Sequence, residues 1–180
     1  MREYKNIVLI GMPGVGKSTA GVIAAKNLGL RFIDTDLLIQ TREKRLLKQI
    51  IADEGIDGFL GIENDVIKGI NDTGCVIATG GSAIYGTEAM DHLRENAFII
   101  YLHLNFEDLE KRLGDLDNRG VVLRPGQNLK DIFYERLKLY SEYADEEIDE
   151  TGLTIEQTVT KICKRVSIYN YSQNADLTNS

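Results

Sequence analysis

Cysteine is scarce, long apolar runs are missing and basic residues are in the minority. The two cysteines, Cys75 and Cys163, form neither a metal-ligand spacing nor a disulfide framework. That usage fits a reducing cytoplasm, and both read as small buried hydrophobes. The longest apolar run, Ala97 to Leu102, covers six residues, against the roughly 20 that cross a bilayer. A membrane span is therefore excluded. The segment Met1 to Lys5, followed by the short run Ile7–Ile10, is too brief for a secretory signal. With 21 basic against 28 acidic residues the formal charge is −7, which argues against nonspecific binding to nucleic acid or to an acidic membrane face.

What remains is an ordinary globular composition, 43% hydrophobic and 27% charged over 180 residues. That length suits one domain with a sizeable core. Short β-branched runs alternate with helix-period stretches, the pattern of an α/β fold with a parallel sheet. Strands are expected at Asn6–Ile10, Arg31–Ile33, Cys75–Ala78, Ala97–Leu102 and around Glu147–Asp149. Helices are expected at Ser18–Leu28, closed by Gly29, and at Leu129–Ala144, with Asn105 capping another. Residues 34–74 look helical throughout and read as an inserted subdomain, while 114–128 lack a period and read as a functional loop. A last helix opens with the capping pair Thr154 and Gln157 and runs to about Val166. The organisation is thus one domain over 1–166, followed by a polar tail over 167–180.

Gly11-Met12-Pro13-Gly14-Val15-Gly16-Lys17-Ser18 fits G-x-x-x-x-G-K-[ST], between a strand and a helix. Gly11, Gly14 and Gly16 permit positive φ and let backbone N–H groups close around a phosphate. The following helix, from Lys17, Ser18 and Thr19 onward, points its positive end at the same anion. Lys17 can reach β- and γ-oxygens, and Ser18 can coordinate Mg²⁺. A nucleotide and Mg²⁺ are the expected ligands of this loop.

Strand two leads into Asp34-Thr35-Asp36. In an extended chain the two carboxylates face one side, where one can hold Mg²⁺ and the other orient an acceptor hydroxyl. Asp36 also stands where a helix N-cap would. Arg136 and Glu63 lie on apolar helical stripes and need inward partners, each other or a ligand. Gly80 and Gly81 suggest either a close backbone approach to a ligand or a tight turn. His92 and His103 are isolated, and neither is assigned to catalysis. The seven acids from Glu142 to Glu156, with no Lys or Arg among them, read as a solvated face.

The order Gly-x-x-x-x-Gly-Lys-Ser, Asp-x-Asp, Gly-x-x-x-Phe-x-x-x-Glu, Ala-Thr-Gly-Gly, Arg-x-x-x-x-x-x-Arg and Arg-x-x-Leu-Tyr-x-x-x-Ala-Asp resembles shikimate kinase from about Asn6 to Val166. The resemblance implies a three-layer α/β/α sandwich of the nucleoside-monophosphate-kinase type, with a five-stranded parallel sheet and a lid. It implies transfer of the ATP γ-phosphoryl to a ring hydroxyl of shikimate, a small-molecule partner, by an enzyme expected to be a monomer. It places Lys17 and Ser18 on phosphate and metal and Asp34 near the metal, with the loop residues Gly11, Gly14, Val15, Gly16 and Thr19 around the nucleotide. Asp36 falls on the acceptor hydroxyl, Arg112 on adenine and Arg119 on the transferring phosphoryl. Gly80, Gly81 and Arg136 fall on the acceptor, Arg136 at its carboxylate.

Three positions depart from the family pattern. Leu60 stands where a second carboxylate-binding arginine is expected, Ser82 replaces a third glycine, and the lid reads Arg119-Gly120-Val121-Val122. The nucleotide half is intact and the acceptor half altered, so shikimate is expected to bind with a high KM. Two other readings stay open: a kinase of another polyol, sugar or cyclitol acid, and a nucleotide-binding switch without turnover. Against a GTPase switch, the chain has no Asn-Lys-x-Asp motif.

Overall fold

The computed structural model describes residues 6–113, 124 and 126–178, with backbone alone from 170 onward. Five strands, β1 (Asn6–Ile10), β2 (Arg31–Asp34), β3 (Cys75–Ala78), β4 (Ala97–His103) and β5 (Glu146–Asp149), form one sheet in the order β2-β3-β1-β4-β5. Every pairing is parallel. Helices α1 (Lys17–Leu28), α2 (Thr35–Glu43), α3 (Leu47–Lys68), α4 (Thr87–Asn96), α5 (Phe106–Leu113), α6 (Leu129–Tyr143) and α7 (Ile155–Thr178) connect and cover it. The expected α/β/α sandwich is the observed one.

Central strands read as continuous apolar runs because helices bury both faces. β1, Asn-Ile-Val-Leu-Ile, is buried from end to end. Its one polar residue, Asn6, donates to the Asp72 carbonyl at 2.6 Å and accepts from the Cys75 N–H at 3.0 Å, tying the start of β1 to the start of β3. α1 rides close to the sheet at Gly21, where a Cβ would stand 2.8 Å from the Phe32 ring. The helix stops at Gly29, whose φ of 69° lets its N–H turn back onto the carbonyls of Ala25 and Lys26.

Registry decides where the loops meet. Leu9 and Asp34 both align with Ala78, so the three strands end within one residue of a common row. Two residues further on stand Gly11, Gly80 and Asp36, at the carboxyl edge where parallel sheets hold ligands.

The helical stretch after β2 is two helices, the second bent at Gly55 (φ 72°, ψ 178°). It carries its own small core of Ile39, Ile50, Phe59 and Val66. The capping pair Thr154–Gln157 forms as expected, at 2.9 and 3.3 Å, and Asn105 accepts from the Asp108 N–H at 2.8 Å. The segment after Ser167 differs from expectation: α7 continues to Thr178 rather than giving way to a polar tail. Stacking of Tyr169 on Phe98, with ring centroids 4.1 Å apart, anchors this extension to the sheet. Of the expected lid, 114–123 and 125 lie outside the described residues.

Candidate active site

The loop after β1 has the conformation its glycines permit. Gly11, Gly14 and Gly16 take φ of 143°, 85° and 104°, a region costly for side-chain-bearing residues. A Cβ on Gly11 would also strike the Leu102 carbonyl, and one on Gly14 would stand 2.8 Å from Leu113. Lys17 folds back over this loop and donates its ammonium to the carbonyls of Gly11 (2.7 Å) and Met12 (2.9 Å). Burial lowers its pKa to about 8, with Asp36 and Glu150 pulling the other way.

Asp34 ends β2 and caps α2: its Oδ1 accepts from the N–H groups of Asp36 (3.0 Å) and Leu37 (3.3 Å). The extended Asp-x-Asp geometry is therefore replaced by a strand-to-helix turn, and the cap is Asp34 rather than Asp36. Freed from capping, Asp36 lines a cleft of about 470 Å³ with Gly14, Gly16, Lys17, Ser18 and Thr19. Phe59, Gly80, Gly81 and Ser82 close the far side. Burial, reinforced by Asp34 and opposed by Lys17, raises the Asp36 carboxyl to about 6.

The glycine pair after β3 answers to protein neighbours. A Cβ on Gly80 would run into the carboxylates of Glu63 and Asp36, and one on Gly81 would stand 2.5 Å from Pro13 in the phosphate loop. The Gly80 N–H donates to Thr35 Oγ1 at 3.1 Å, so the loops after β1, β2 and β3 are bonded or packed directly together. Beneath them Glu63 is fully buried, and its Oε2 accepts from Ser82 Oγ at 2.7 Å. Burial raises Glu63 to about 7, with the Ser82 bond acting against the shift. Its Oε1 has no hydrogen-bond partner.

Arg136, on the inward face of α6, is 1% exposed. It donates to the Gly81 carbonyl (Nη1, 3.2 Å) and to the Tyr85 hydroxyl (Nε, 3.2 Å). Tyr140 donates to the same carbonyl at 2.6 Å. The two inward residues marked by the stripes thus meet the same glycine loop, Glu63 at Ser82 and Arg136 at Gly81.

Arg112, near the end of α5, donates to the Val15 carbonyl at 3.2 Å. It lines a separate cavity of about 210 Å³ beside the phosphate loop, with Val15, Gly16, Thr19, Glu150 and Ile155. Glu150 corrects the reading of the acidic run as a solvated face. It is 1% exposed, Oε2 lacks a partner, and burial raises its carboxyl to about 7 against Thr158 and Arg112. The residue follows β5 directly, and packing of α7 covers it, a feature no local pattern announces. Arg119 lies outside the described residues.

The donor set suits a hard cation. Ser18 lines the cleft with a hydroxyl, an oxygen ligand of the kind Mg²⁺ prefers, whereas Asp34 is not among the residues lining the cleft and spends Oδ1 on the α2 cap. Among the described residues no three His, Cys, Asp or Glu side chains gather as a metal cage. A cation here would be held by one or two protein oxygens together with phosphate and water, which is the habit of Mg²⁺ at nucleotide sites.

Comparison with known proteins identifies the family. The family model "Shikimate kinase" matches residues 13–167. The shikimate kinase of Thermodesulfovibrio yellowstonii is 37% identical over 163 residues, covering 89% of this chain and 94% of the relative. That of Persephonella marina is 32% identical over 163 residues, covering 90% and 99%. Among solved structures, shikimate kinase from Acinetobacter baumannii in complex with shikimate superposes with a TM-score of 0.85 at 28% identity, covering 92% and 94% of the two chains. The Aquifex aeolicus enzyme gives 0.77 at 30% identity, covering 94% and 98%. A gluconokinase from Sinorhizobium meliloti, at 18% identity and a TM-score of 0.59 over both full lengths, shares the fold. By its loop, its carboxylates and its relatives alike, this chain belongs to the shikimate kinase family.

Proposed function

We propose that the protein transfers the γ-phosphoryl group of Mg-ATP to a ring hydroxyl of shikimate, giving shikimate 3-phosphate. One observation carries the reading: Lys17 and Asp36 face a single cleft whose far wall, at Gly81, is held by Arg136. Phosphate donor and hydroxyl acceptor would then meet between a cation and a carboxylate.

The acceptor hydroxyl attacks phosphorus, the bond to the ADP bridging oxygen breaks, and the hydroxyl proton passes to Asp36. With its pKa near 6, Asp36 is ionised at neutral pH and accepts that proton late, as a loose transition state requires. Lys17 has three N–H donors, of which two engage loop carbonyls, and the third can meet a phosphate oxygen. Arg119 adds a second cation at the transferring group, and Arg112 holds the base over its cavity. Ser18 and Asp34 would hold Mg²⁺, which would supply neutralisation of phosphate charge. Arg136 pairs with the acceptor carboxylate. The chain is expected to work as a monomer.

The test is a coupled assay of ADP release with shikimate, quinate, gluconate and neutral polyols. Shikimate should show the highest kcat/KM. Preference for a neutral polyol would reassign the acceptor within the same chemistry.

A further inference from the structure

Leucine at position 60 does not leave the acceptor end of the cleft with one cation. A cavity of about 320 Å³ opens beside the main cleft, lined by Ile56, Leu60, Tyr85, Arg124 and Arg136 among others. It adjoins the cleft through the neighbours Phe59 and Leu60 and through the Gly81 carbonyl that Arg136 holds. Two guanidinium groups therefore line one small chamber, against an apolar wall made by Leu60 and Ile56.

The two arginines are held differently. Arg136 is buried and fixed by Gly81 and Tyr85. Arg124 is 58% exposed and pairs with Asp57 at 2.9 Å, itself 82% exposed. Exposed pairs of this kind are weak and readily exchanged. A guanidinium also carries five N–H donors, so Arg124 can keep Asp57 on one edge and offer another to a ligand.

Its backbone is tied down. The Arg124 N–H donates to Gln127 Oε1 and the Gln127 N–H returns to the Arg124 carbonyl, both at 3.0 Å. Gln127 Nε2 then donates to Glu135 Oε2 (3.0 Å), whose other oxygen accepts from the Tyr85 hydroxyl (2.6 Å). Tyr85 in turn accepts from Arg136. One chain of hydrogen bonds thus spaces Arg124 against Arg136, and both oxygens of Glu135, which also lines the chamber, are engaged within it.

A carboxylate has two oxygens and binds most firmly to charged forks on both. We propose that Arg124 is a substrate-binding residue that brackets the acceptor carboxylate together with Arg136, supplying from the segment before α6 the cation that position 60 lacks. This deepens the proposed function, since it rests on an acceptor that carries a carboxylate.

The experiment is steady-state kinetics of wild type, Arg124→Gln and Arg124→Gln/Leu60→Arg on shikimate and on shikimate methyl ester. Arg124→Gln should raise KM for shikimate roughly ten- to hundredfold, the range for a lost charge-assisted partner. It should leave kcat within about twofold, as for uniform binding, and leave the ester's KM unchanged. Leu60→Arg should restore much of the loss. An unchanged shikimate KM, or an equal loss on acid and ester, would overturn the proposal while leaving the kinase reading intact. If wild type does not phosphorylate shikimate, it is the acceptor assignment that fails. Calorimetric titration with gluconate and quinate then decides: the arginine pair stands if a carboxylate binds and Arg124→Gln abolishes that binding, and it falls if none binds.

Discussion

Ser82 donates its hydroxyl to Glu63 Oε2 at 2.7 Å on the buried floor of the cleft. A glycine at position 82 would take that donor away. The bond therefore gives the departure from the glycine pattern a chemical meaning: it stabilises charge on a carboxylate that burial has raised to about 7.

The pH profile should show this arrangement. With Asp36 near 6 and Glu63 near 7, kcat/KM should climb through pH 6–7, the two acids titrating as a coupled set. Lys17, lowered to about 8, should make it fall again above that pH as the free enzyme loses its cation. Ser82→Ala should move the acid limb to higher pH. A limb that stays in place between pH 5 and 9 would separate Glu63 from catalysis.

Stability should respond in the opposite sense to a surface carboxylate. Glu63 and Glu150 are each raised from 4.5 to about 7, so between those values the folded state keeps protons that the unfolded state has released. Stability is then full below about pH 4.5 and falls as pH rises towards 7, by on the order of 3 kcal/mol per group. Glu150→Gln should flatten that fall. Urea denaturation at pH 5 and pH 8 measures it, and equal slopes for both proteins would contradict the assignment.

Asp36→Asn should lower kcat by several orders of magnitude while the ATP dissociation constant stays within about threefold, because the loop rather than Asp36 grips the nucleotide. Lys17→Ala should lose both. Nucleotide titration paired with turnover separates the two. Lost ATP binding with retained kcat in Asp36→Asn would move that carboxylate to the metal.

Arg119→Ala should depress kcat by a factor of about 10²–10⁴, the range for cations that stabilise a transferring phosphoryl. Single-turnover measurement under saturating ATP checks it. An unchanged rate would mean that the Gly120-Val121-Val122 departure has altered how the loop meets the phosphate.

The sequence by itself determined the features that depend on neighbours along the chain. The phosphate loop was legible because positive φ at Gly14 and Gly16 is a local backbone demand, and the cap pair Thr154–Gln157 because its bonds span three residues. Strands of continuous apolar residues announced a parallel sheet covered on both faces. Tertiary structure alone decided how distant segments met. Asp34 took the cap from Asp36 because β2 runs one residue further than its apolar pattern, to Asp34 itself, before the chain turns. Glu150 is buried only because α7 packs over the end of β5, and α7 extends beyond Ser167 where Tyr169 finds Phe98. Asp36 and Gly80 converge because registry aligns Asp34 with Ala78, while α3 and α6 bring Glu63 and Arg136 to the same loop. Arg124 reaches Arg136 through bonds from Gln127 to Glu135 and Tyr85. Such meetings depend on packing and on side chains far apart in the chain, and no local periodicity encodes them.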